Sequence, residues 1–452
     1  MSHALDVNPV IDSIAGRTLP ARANMLSLAL IAWGLGAVGY GYAAAEGGEA
    51  WTLGAILVGL VYSLCIAQGS VMFCVILTGA WARWGRPFKR IAEALGCFLP
   101  VVYGLLVLFL LTSTHVYAWN PDTIIFGGAV PLEPHSLEAY AAKPIWLQKW
   151  FFIGRHVVGL GILTALSAVY IRASLKPDLV QAKARLGDKA PAWWDRIIGG
   201  QTDLAAAQKE SFDFQSNIFP YMVICYALLF SFMAFDLLMS LSPWWFSNMF
   251  GAWICMSSVY VGMAAIGLTT MITRDWLNIG AFVKKSSTLD LGKLILAACM
   301  FWAYTTFAQL LPIWYTDMPE ETDYLLVRLY LPHWRWLSQT VAIMCFIAPF
   351  TILLSRGIKK MRWPFAALCC LVMCGIFLER SLLVMPSVYF GDHFPTVDFL
   401  IVNLGVVMGM VGLCIQVVGR FLAQVPGVVI SDPYLTDHPW DVHVHAAHEA
   451  AK

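Results

Sequence analysis

Ten long apolar runs dominate this sequence and leave it few possible folds. A membrane-spanning helix needs about 20 predominantly apolar residues. Runs that meet this requirement lie at roughly 25–45, 53–82, 92–115, 150–172, 217–241, 249–273, 292–315, 333–355, 363–386 and 399–422. Only 13% of the residues are charged, against about 25% in soluble domains. The sequence therefore predicts an all-α polytopic membrane protein with ten transmembrane helices.

The distribution of lysine and arginine predicts how these helices are oriented. Basic residues are enriched in the cytoplasmic junctions of membrane proteins. Most of the 29 basic residues lie in the two tails and in alternate junctions, within 83–90, 172–209, 274–293 and 356–362. Both termini are therefore predicted to be cytoplasmic. The formal net charge of +1 argues against nucleic acid as a partner.

The fifth and ninth runs share a pattern that suggests an internal repeat. Asp236 stands seven residues before Pro243, and Glu379 stands seven residues before Pro386. This spacing predicts two parallel units of four helices each. The predicted organisation is a tail (1–24), a flanking helix (25–45), a first bundle (53–241, with a polar cytoplasmic loop at 173–216), a second bundle (249–386), a flanking helix (399–422) and a cytoplasmic tail (423–452).

Charged residues inside apolar helices need partners. A charge at the bilayer centre costs about 2.5–3.5 kcal/mol on insertion scales. Glu379 and Arg380 are adjacent, so their side chains should point about 100° apart on a helix, and each is expected to find a partner on another helix. Candidates at similar depth are His115, Arg155, His156, His333 and Arg335, with Glu320 and Glu321 just after the seventh run.

The buried ionisable residues are predicted to converge near the outer ends of the helices. In the cytoplasmic halves, Glu93 is the clearest buried ionisable residue. Two interpretations of Asp236, Glu379, Arg155 and Arg380 stay open at this point. They can be interhelical contacts that fix packing, or they can form a cluster that exchanges protons, because burial and a neighbouring arginine shift carboxylate titration in opposite directions. For His333 and Arg335, an anchor in the interfacial aromatic belt is a further alternative.

Metal and haem sites are not expected in this chain. The eleven cysteines contain no Cys-x-x-Cys pair, and cysteines inside apolar helices are normally small packing groups. Haem b requires two imidazoles that face each other from different helices. His115 and His156 are the candidates, and both are predicted near one surface. The histidines of the C-terminal tail are interpreted as a solvated segment.

Three segments carry a resemblance to a known family. "FDLLMSLSPWWFSNMFGAW" (235–253), "FWAYTTFAQLLPIWYTDMPEETDYLLVRL" (301–329) and "FLERSLLVMPS" (377–387), within ten spans, resemble the polysulfide-reductase NrfD-like family. The likeness covers about residues 25–422. Within that family it looks most similar to the second, smaller quinone-binding subunit of bacterial alternative complex III, a quinol:cytochrome c (or quinol:electron acceptor) oxidoreductase.

The resemblance implies a membrane subunit that itself binds no redox cofactor. It implies a bacterial inner membrane, a sister NrfD-like subunit, an iron–sulfur subunit and haem c subunits that carry the electrons, and quinol or quinone as ligand. The quinone-site candidates are then His115, Arg155, His156, Asp236, Arg380, Arg335 and His333. Candidates for a proton relay are Asp236, Glu379, Glu320, Glu321 and Glu93. Two other functions stay open: a structural membrane anchor for redox subunits, and a solute or ion transporter.

Overall fold

The computed structural model describes residues 6–45, 48–120, 145–242, 245–389, 393–432 and 435, without the side chains of Pro319 and Glu320. These described residues are helical or lie in turns and connections, and they contain no β-strand. Ten of their helices are long and apolar enough to cross a bilayer. The predicted all-α, multi-pass membrane fold is thus confirmed.

We number the ten long helices in chain order. They are α1 (Ala21–Ala44), α2 (Gly48–Gly79), α3 (Arg86–Thr112), α4 (Lys149–Leu186), α5 (Leu204–Leu237), α6 (Phe250–Thr273), α7 (Lys285–Thr316), α8 (Pro332–Leu354), α9 (Arg362–Val388) and α10 (Thr396–Ala423). Shorter helices span Asn8–Asp12, Trp194–Ile198 and Pro319–Leu329. Single π-helical turns interrupt α8 at Ile343–Ile347 and α10 at Phe399–Asn403.

The N-terminal and C-terminal segments meet at one end of the helix bundle, which we call the terminal face. The guanidinium of Arg17 donates to the carbonyl oxygen of Leu422 at 2.7 Å, and Arg86, at the start of α3, binds Asp432 at 2.9 Å. Because successive long helices run antiparallel, α3, α5, α7 and α9 begin at the terminal face. They end at the opposite face.

Helices α2 and α6 form the centre of the molecule. A Cβ atom added to Gly69 would lie 1.9 Å from the carbonyl oxygen of Ser258, and one added to Gly262 would lie 2.6 Å from the carbonyl carbon of Gly69. The two backbones therefore touch directly, which small residues permit in membrane helices. Helix α2 also packs on α9, and α6 packs on α5. The division into bundles 53–241 and 249–386 stays a prediction.

The flanking helices α1 and α10 pack against each other through glycine. A Cβ atom added to Gly34 would lie 2.7 Å from the Cα atom of Gly409, and one added to Gly412 would lie 2.6 Å from the carbonyl oxygen of Ser27. Contacts this close maximise dispersion between helices that gain little from the hydrophobic effect in lipid. The remainder of α1 exposes large apolar side chains such as Met25 and Leu35, as expected for a lipid-facing helix.

The prediction of a long polar loop at 173–216 is wrong. Helix α4 continues to Leu186, and α5 already begins at Leu204. The extended segments are rich in Ala, Leu, Lys, Gln and Arg, which favour helix even outside an apolar environment. Hydropathy marks the part of a helix that lipid can accommodate, and it does not mark where the helix ends. Between these two helices a short helix spans Trp194–Ile198, and the side chain of Trp194 is buried.

Candidate functional site

Asp236 lies at the point where α5 stops being helical. The helix ends at Leu237, and the backbone tightens into a short turn at Met239–Leu241. The hydroxyl of Ser240 donates back to the carbonyl oxygen of Asp236, so the turn holds the backbone beside the acid. The Asp236 side chain is buried and faces α4.

Two donors bind the two oxygens of the Asp236 carboxylate separately. Nε of Arg155 donates to Oδ2 at 2.6 Å, and the indole N–H of Trp146 donates to Oδ1 at 2.9 Å. Arg155 also donates to the carbonyl oxygen of Trp146, and its guanidinium carbon lies 4.3 Å from the centroid of the Trp146 ring. Such charge-assisted contacts are stronger than neutral hydrogen bonds. They compensate for burial of the carboxylate.

His156 completes this group, which we call the Asp236 cluster (Trp146, Arg155, His156 and Asp236). Its Nδ1 donates to the carbonyl oxygen of Phe152 at 2.7 Å, since a carbonyl can only accept. Nε2 lies 3.7 Å from Oδ2 of Asp236, too far for a hydrogen bond. In the neutral imidazole this nitrogen carries a lone pair, and it is available to a proton donor that enters between α4 and α5.

A cavity of about 200 Å³ adjoins the Asp236 cluster between α4 and α5. All four cluster residues line it, and the rest of its wall is Phe151, Gly159, Leu160, Leu229, Phe232 and Met233. Phe151 and Phe232 are both 44% exposed, so the cavity adjoins the lipid-facing side of these helices. Nη2 of Arg155 is buried and has no acceptor among the described residues. The cavity thus combines an apolar wall with an unused cationic donor.

The second predicted acid, Glu379, lies in a closed environment. The indole N–H of Trp302 donates to Oε1 at 2.8 Å, and Nη1 of Arg380 donates to Oε2 at 2.8 Å. Arg380 also reaches Ser257 on α6 and lies 3.8 Å from the sulfur of Cys65 on α2. Glu379 and Arg380 have almost no exposed surface, and this group (Glu379, Arg380, Trp302 and Ser257) links α6, α7 and α9.

Glu379 and Arg380 each find the expected partner on another helix, Trp302 and Ser257, but contrary to expectation they also pair with each other. Adjacent residues on a helix point about 100° apart, which separates the Cβ atoms of Glu379 and Arg380. The arginine side chain is long enough to turn back, however, and its terminal nitrogen reaches the neighbouring carboxylate. The helix position alone does not determine where a long flexible side chain ends.

Several other predicted partners lie away from both acids. His115 binds Glu49 at 3.1 Å. Arg335 is exposed, and His333 lies half-buried beside the ring of Trp334. Glu321 is half-buried on the short helix Pro319–Leu329. The predicted Glu320 lies outside the described side chains. The structure therefore brings Arg155 and His156 to Asp236, and it brings Arg380 to Glu379.

The prediction that buried ionisable groups concentrate at the outer face is also wrong. Near the terminal face, Arg90 binds both Glu93 and Asp178, and all three side chains are buried. Lys89 donates to Gln215 at 2.8 Å. The hydropathy pattern placed Arg90 in a solvated junction and Asp178 in a loop, because it cannot tell a solvated charge from one that faces a neighbouring helix.

The C-terminal segment (424–432) covers this group. We call the group the terminal network (Lys89, Arg90, Glu93, Asp178 and Gln215). The backbone N–H of Ser431 donates to Oδ1 of Asp178 at 2.8 Å, and the Ser431 hydroxyl binds the same oxygen. Gln208 donates to the carbonyl oxygen of Ser431 at 2.7 Å. One oxygen of Glu93 and Nε of Arg90 are buried without a partner among the described residues.

Trp146 and Trp302 were not singled out as site residues by the sequence. Each tryptophan donates to one buried acid, but neither carries a charge that would make it conspicuous in an apolar sequence. No group of three His, Cys, Asp or Glu side chains in the described part of the chain is placed to hold a metal ion.

The fold and these buried ionic groups define an integral, multi-pass membrane protein. Its buried charged residues Asp236 and Arg380 lie between helices, where they bind tryptophan, arginine and serine. Comparison with protein-family models and with curated proteins finds no match to the chain.

Proposed function

We propose that the chain is a membrane subunit of a quinol-oxidising respiratory complex, and that the Asp236 cluster and its cavity bind a quinone headgroup. The observation that carries the proposal is the cavity itself. It has apolar walls, a paired arginine and carboxylate, and a histidine with a free nitrogen. Ligand sites of this kind combine a mostly apolar lining with a few placed polar groups.

The size of the cavity suits one aromatic ring. An apolar cavity of about 150 Å³ is enough to bind benzene, and this one measures about 200 Å³. A quinone ring would place its isoprenoid chain outward, between the exposed rings of Phe151 and Phe232, where lipid would surround it. The free Nη2 of Arg155 would donate to a quinone oxygen.

Proton transfer would pass through His156 and Asp236. Oxidation of a quinol to a quinone releases two protons and two electrons. A base must lie within about 2.6–3.2 Å of the hydroxyl that it deprotonates. Nε2 of His156 would accept the two protons one after the other, releasing the first before the second arrives, and the Asp236 carboxylate would stabilise each imidazolium at 3.7 Å. Arg155 and Trp146 would keep the carboxylate in place during the transfer.

The electrons would leave to redox groups of partner subunits. The resemblance to NrfD-like subunits implies iron–sulfur and haem c subunits and a sister NrfD-like subunit as these partners, in a bacterial inner membrane with both termini cytoplasmic. The terminal network and the Glu379 group would then serve as further positions for protons across the bilayer. In this proposal the buried acids Glu93 and Glu379 are the relay candidates of these two groups.

Photolabelling with an azido-quinone tests the headgroup site directly. In native membranes, label is expected on peptides that contain residues 146–160 or 229–236, and excess unlabelled quinone should prevent it. The variant Asp236→Asn with Arg155→Met should lose the label, while Arg172→Lys, at an exposed position on α4, should retain it. Label that spreads evenly over lipid-facing helices, or that the double variant retains, would contradict the proposal.

A further inference from the structure

The side chain of Lys359 has an unusual position at the terminal face, in the turn between α8 and α9. It is only 4% exposed. Its aliphatic part crosses α7 at Gly292, where an added Cβ atom would lie 2.7 Å from Cγ of the lysine. Lysine often buries its methylene groups in this way while the ammonium reaches a polar boundary. No hydrogen bond or ion pair joins its ammonium to a described residue.

Two further cations lie near the Lys359 side chain. Lys293 follows Gly292 on α7, and Arg356 lies three residues before Lys359 in the same turn. Burial lowers the pKa of the Lys359 ammonium, and the charges of Lys293 and Arg356 lower it further. Asp290 binds Lys293 at 2.8 Å and offsets one of the three positive charges. Lys293, Arg356 and Lys359 together keep a net positive charge that the described residues do not neutralise.

Large apolar side chains lie next to these cations. Leu354, the last residue of α8, is 60% exposed, and Trp363, the second residue of α9, is 65% exposed. Met361 is also exposed in the turn between them. Exposed tryptophan at a helix end is typical of the boundary between hydrocarbon and headgroups. These side chains indicate that the cations lie at the depth expected for lipid phosphates, beside a surface suited to acyl chains.

We propose that Lys293, Arg356 and Lys359 form a binding site for the phosphate of an anionic phospholipid. Basic clusters between membrane helices recognise such headgroups, with about 1 kcal/mol per cation near the surface. The exposed apolar side chains on the same turn favour a lipid over a soluble phosphate, because they offer the acyl chains a contact that a free ion cannot use. This site is separate from the Asp236 cluster, which lies at the opposite face.

The test measures lipid-dependent stability of the full chain in detergent. Phosphatidylglycerol is expected to raise the midpoint of thermal unfolding, whereas phosphatidylcholine and inorganic phosphate should leave it unchanged. In the double variant Arg356→Gln with Lys359→Gln, the apparent affinity for phosphatidylglycerol should fall about 25-fold, since each cation contributes about fivefold. The double variant Arg356→Lys with Lys359→Arg keeps both positive charges and should preserve the shift in the unfolding midpoint.

A matched control comes from the same face. Lys189 and Lys209 are exposed at the terminal face, and the double variant Lys189→Gln with Lys209→Gln should bind phosphatidylglycerol as the unmodified chain does. If Lys359→Gln prevents folding, Arg356→Gln alone should still weaken binding about fivefold. Equal shifts in the site variant and the unmodified chain would overturn the proposal. A shift of the same size with inorganic phosphate would overturn the assignment to lipid.

Discussion

Arg380 binds the carboxylate of the residue next to it in the chain, with its Nη1 2.8 Å from Oε2 of Glu379. The pair lies inside the bundle, and Arg380 also reaches Ser257 and Cys65 on the two central helices. An ion pair that is local in sequence therefore contacts several helices. Removing both charges from water costs free energy, which the pairing and the hydrogen bonds must offset.

The Asp236 and Glu379 groups use the same chemistry in different surroundings. Each acid accepts from one indole N–H and one arginine, with Trp146 and Arg155 in the first and Trp302 and Arg380 in the second. The first group adjoins a cavity, whereas almost no surface of the second is exposed. A ligand can reach the first group without displacing a helix. Under the proposed function, the ligand would therefore bind at Asp236, and Glu379 would be a further position for a proton.

Replacing Arg155 with lysine should weaken quinone binding while the positive charge is kept. The ammonium cannot donate at once to Asp236, to the Trp146 carbonyl and to a ligand in the geometry of a guanidinium. A hydrogen bond to a charged group contributes about 1.5–3 kcal/mol, so the affinity should fall about tenfold or more. Quenching of tryptophan fluorescence by a titrated quinone measures this change.

The control for this variant is Arg172→Lys on the same helix. Arg172 is exposed and donates to the carbonyl oxygen of Arg196 at 3.1 Å, far along α4 from the cavity. The Arg172→Lys variant should leave the quinone affinity unchanged. Equal weakening in both variants would show that the effect comes from helix α4 as a whole, and it would remove the specific role assigned to Arg155.

Removing one member of the Glu379 pair should destabilise the protein more than removing both. Glu379→Gln leaves the Arg380 guanidinium buried without an anion, and breaking a buried pair in this way costs about 3–5 kcal/mol. The double variant Glu379→Gln with Arg380→Met removes both charges and should recover much of that loss. A double-mutant cycle in one detergent compares the unfolding midpoints of the unmodified chain, Glu379→Gln, Arg380→Met and the double variant. Additive losses would contradict direct coupling.

Part of this arrangement could be predicted from sequence because charges are conspicuous in apolar helices. Asp236, Arg155 and His156 were identified for that reason, and they do lie together. Trp146 gave no such signal, since it lies in a polar junction and acts through a neutral N–H group. Contact between side chains on different helices depends on helix rotation and side-chain reach. Neither can be read from the position of a residue in a hydropathy profile.

The terminal network could not be predicted from the sequence for a second reason. Arg90 and Asp178 are separated by 88 positions and both adjoin polar segments, where solvated charges are common. Their pairing requires that α4 continue beyond its apolar part and that the C-terminal segment fold back over it. The ten spans could be predicted because hydrophobic length is a local property. The network could not, because it depends on the packing of segments distant in sequence.

A side chain added at Gly34 of α1 should disrupt the contact between α1 and α10, whereas one added at Gly36 should not. In Gly34→Val, the new side chain meets the α10 backbone, since an added Cβ atom would already lie 2.7 Å from Gly409. Overpacking of this kind costs about 1–3 kcal/mol. Gly36→Val on the same helix adds a side chain where nothing lies within 4 Å. Thermal unfolding should show a lower midpoint for the first variant, and equal midpoints would argue against glycine-mediated packing.

Loss of the Ser431 hydroxyl should loosen the C-terminal segment from the terminal network. Ser431→Ala removes one of the two hydrogen bonds that this residue makes to Asp178, and a contact to a charged acceptor contributes about 1.5–3 kcal/mol. Hydrogen exchange of residues 424–432 should therefore become about tenfold faster or more, while exchange within α2 and α6 stays unchanged. Ser355→Ala is the matched control, because Ser355 is exposed at the same face and should leave this exchange unaffected. If Ser431→Ala leaves the segment as protected as before, then Arg86, through its contact with Asp432 at 2.9 Å, holds it without help from Asp178.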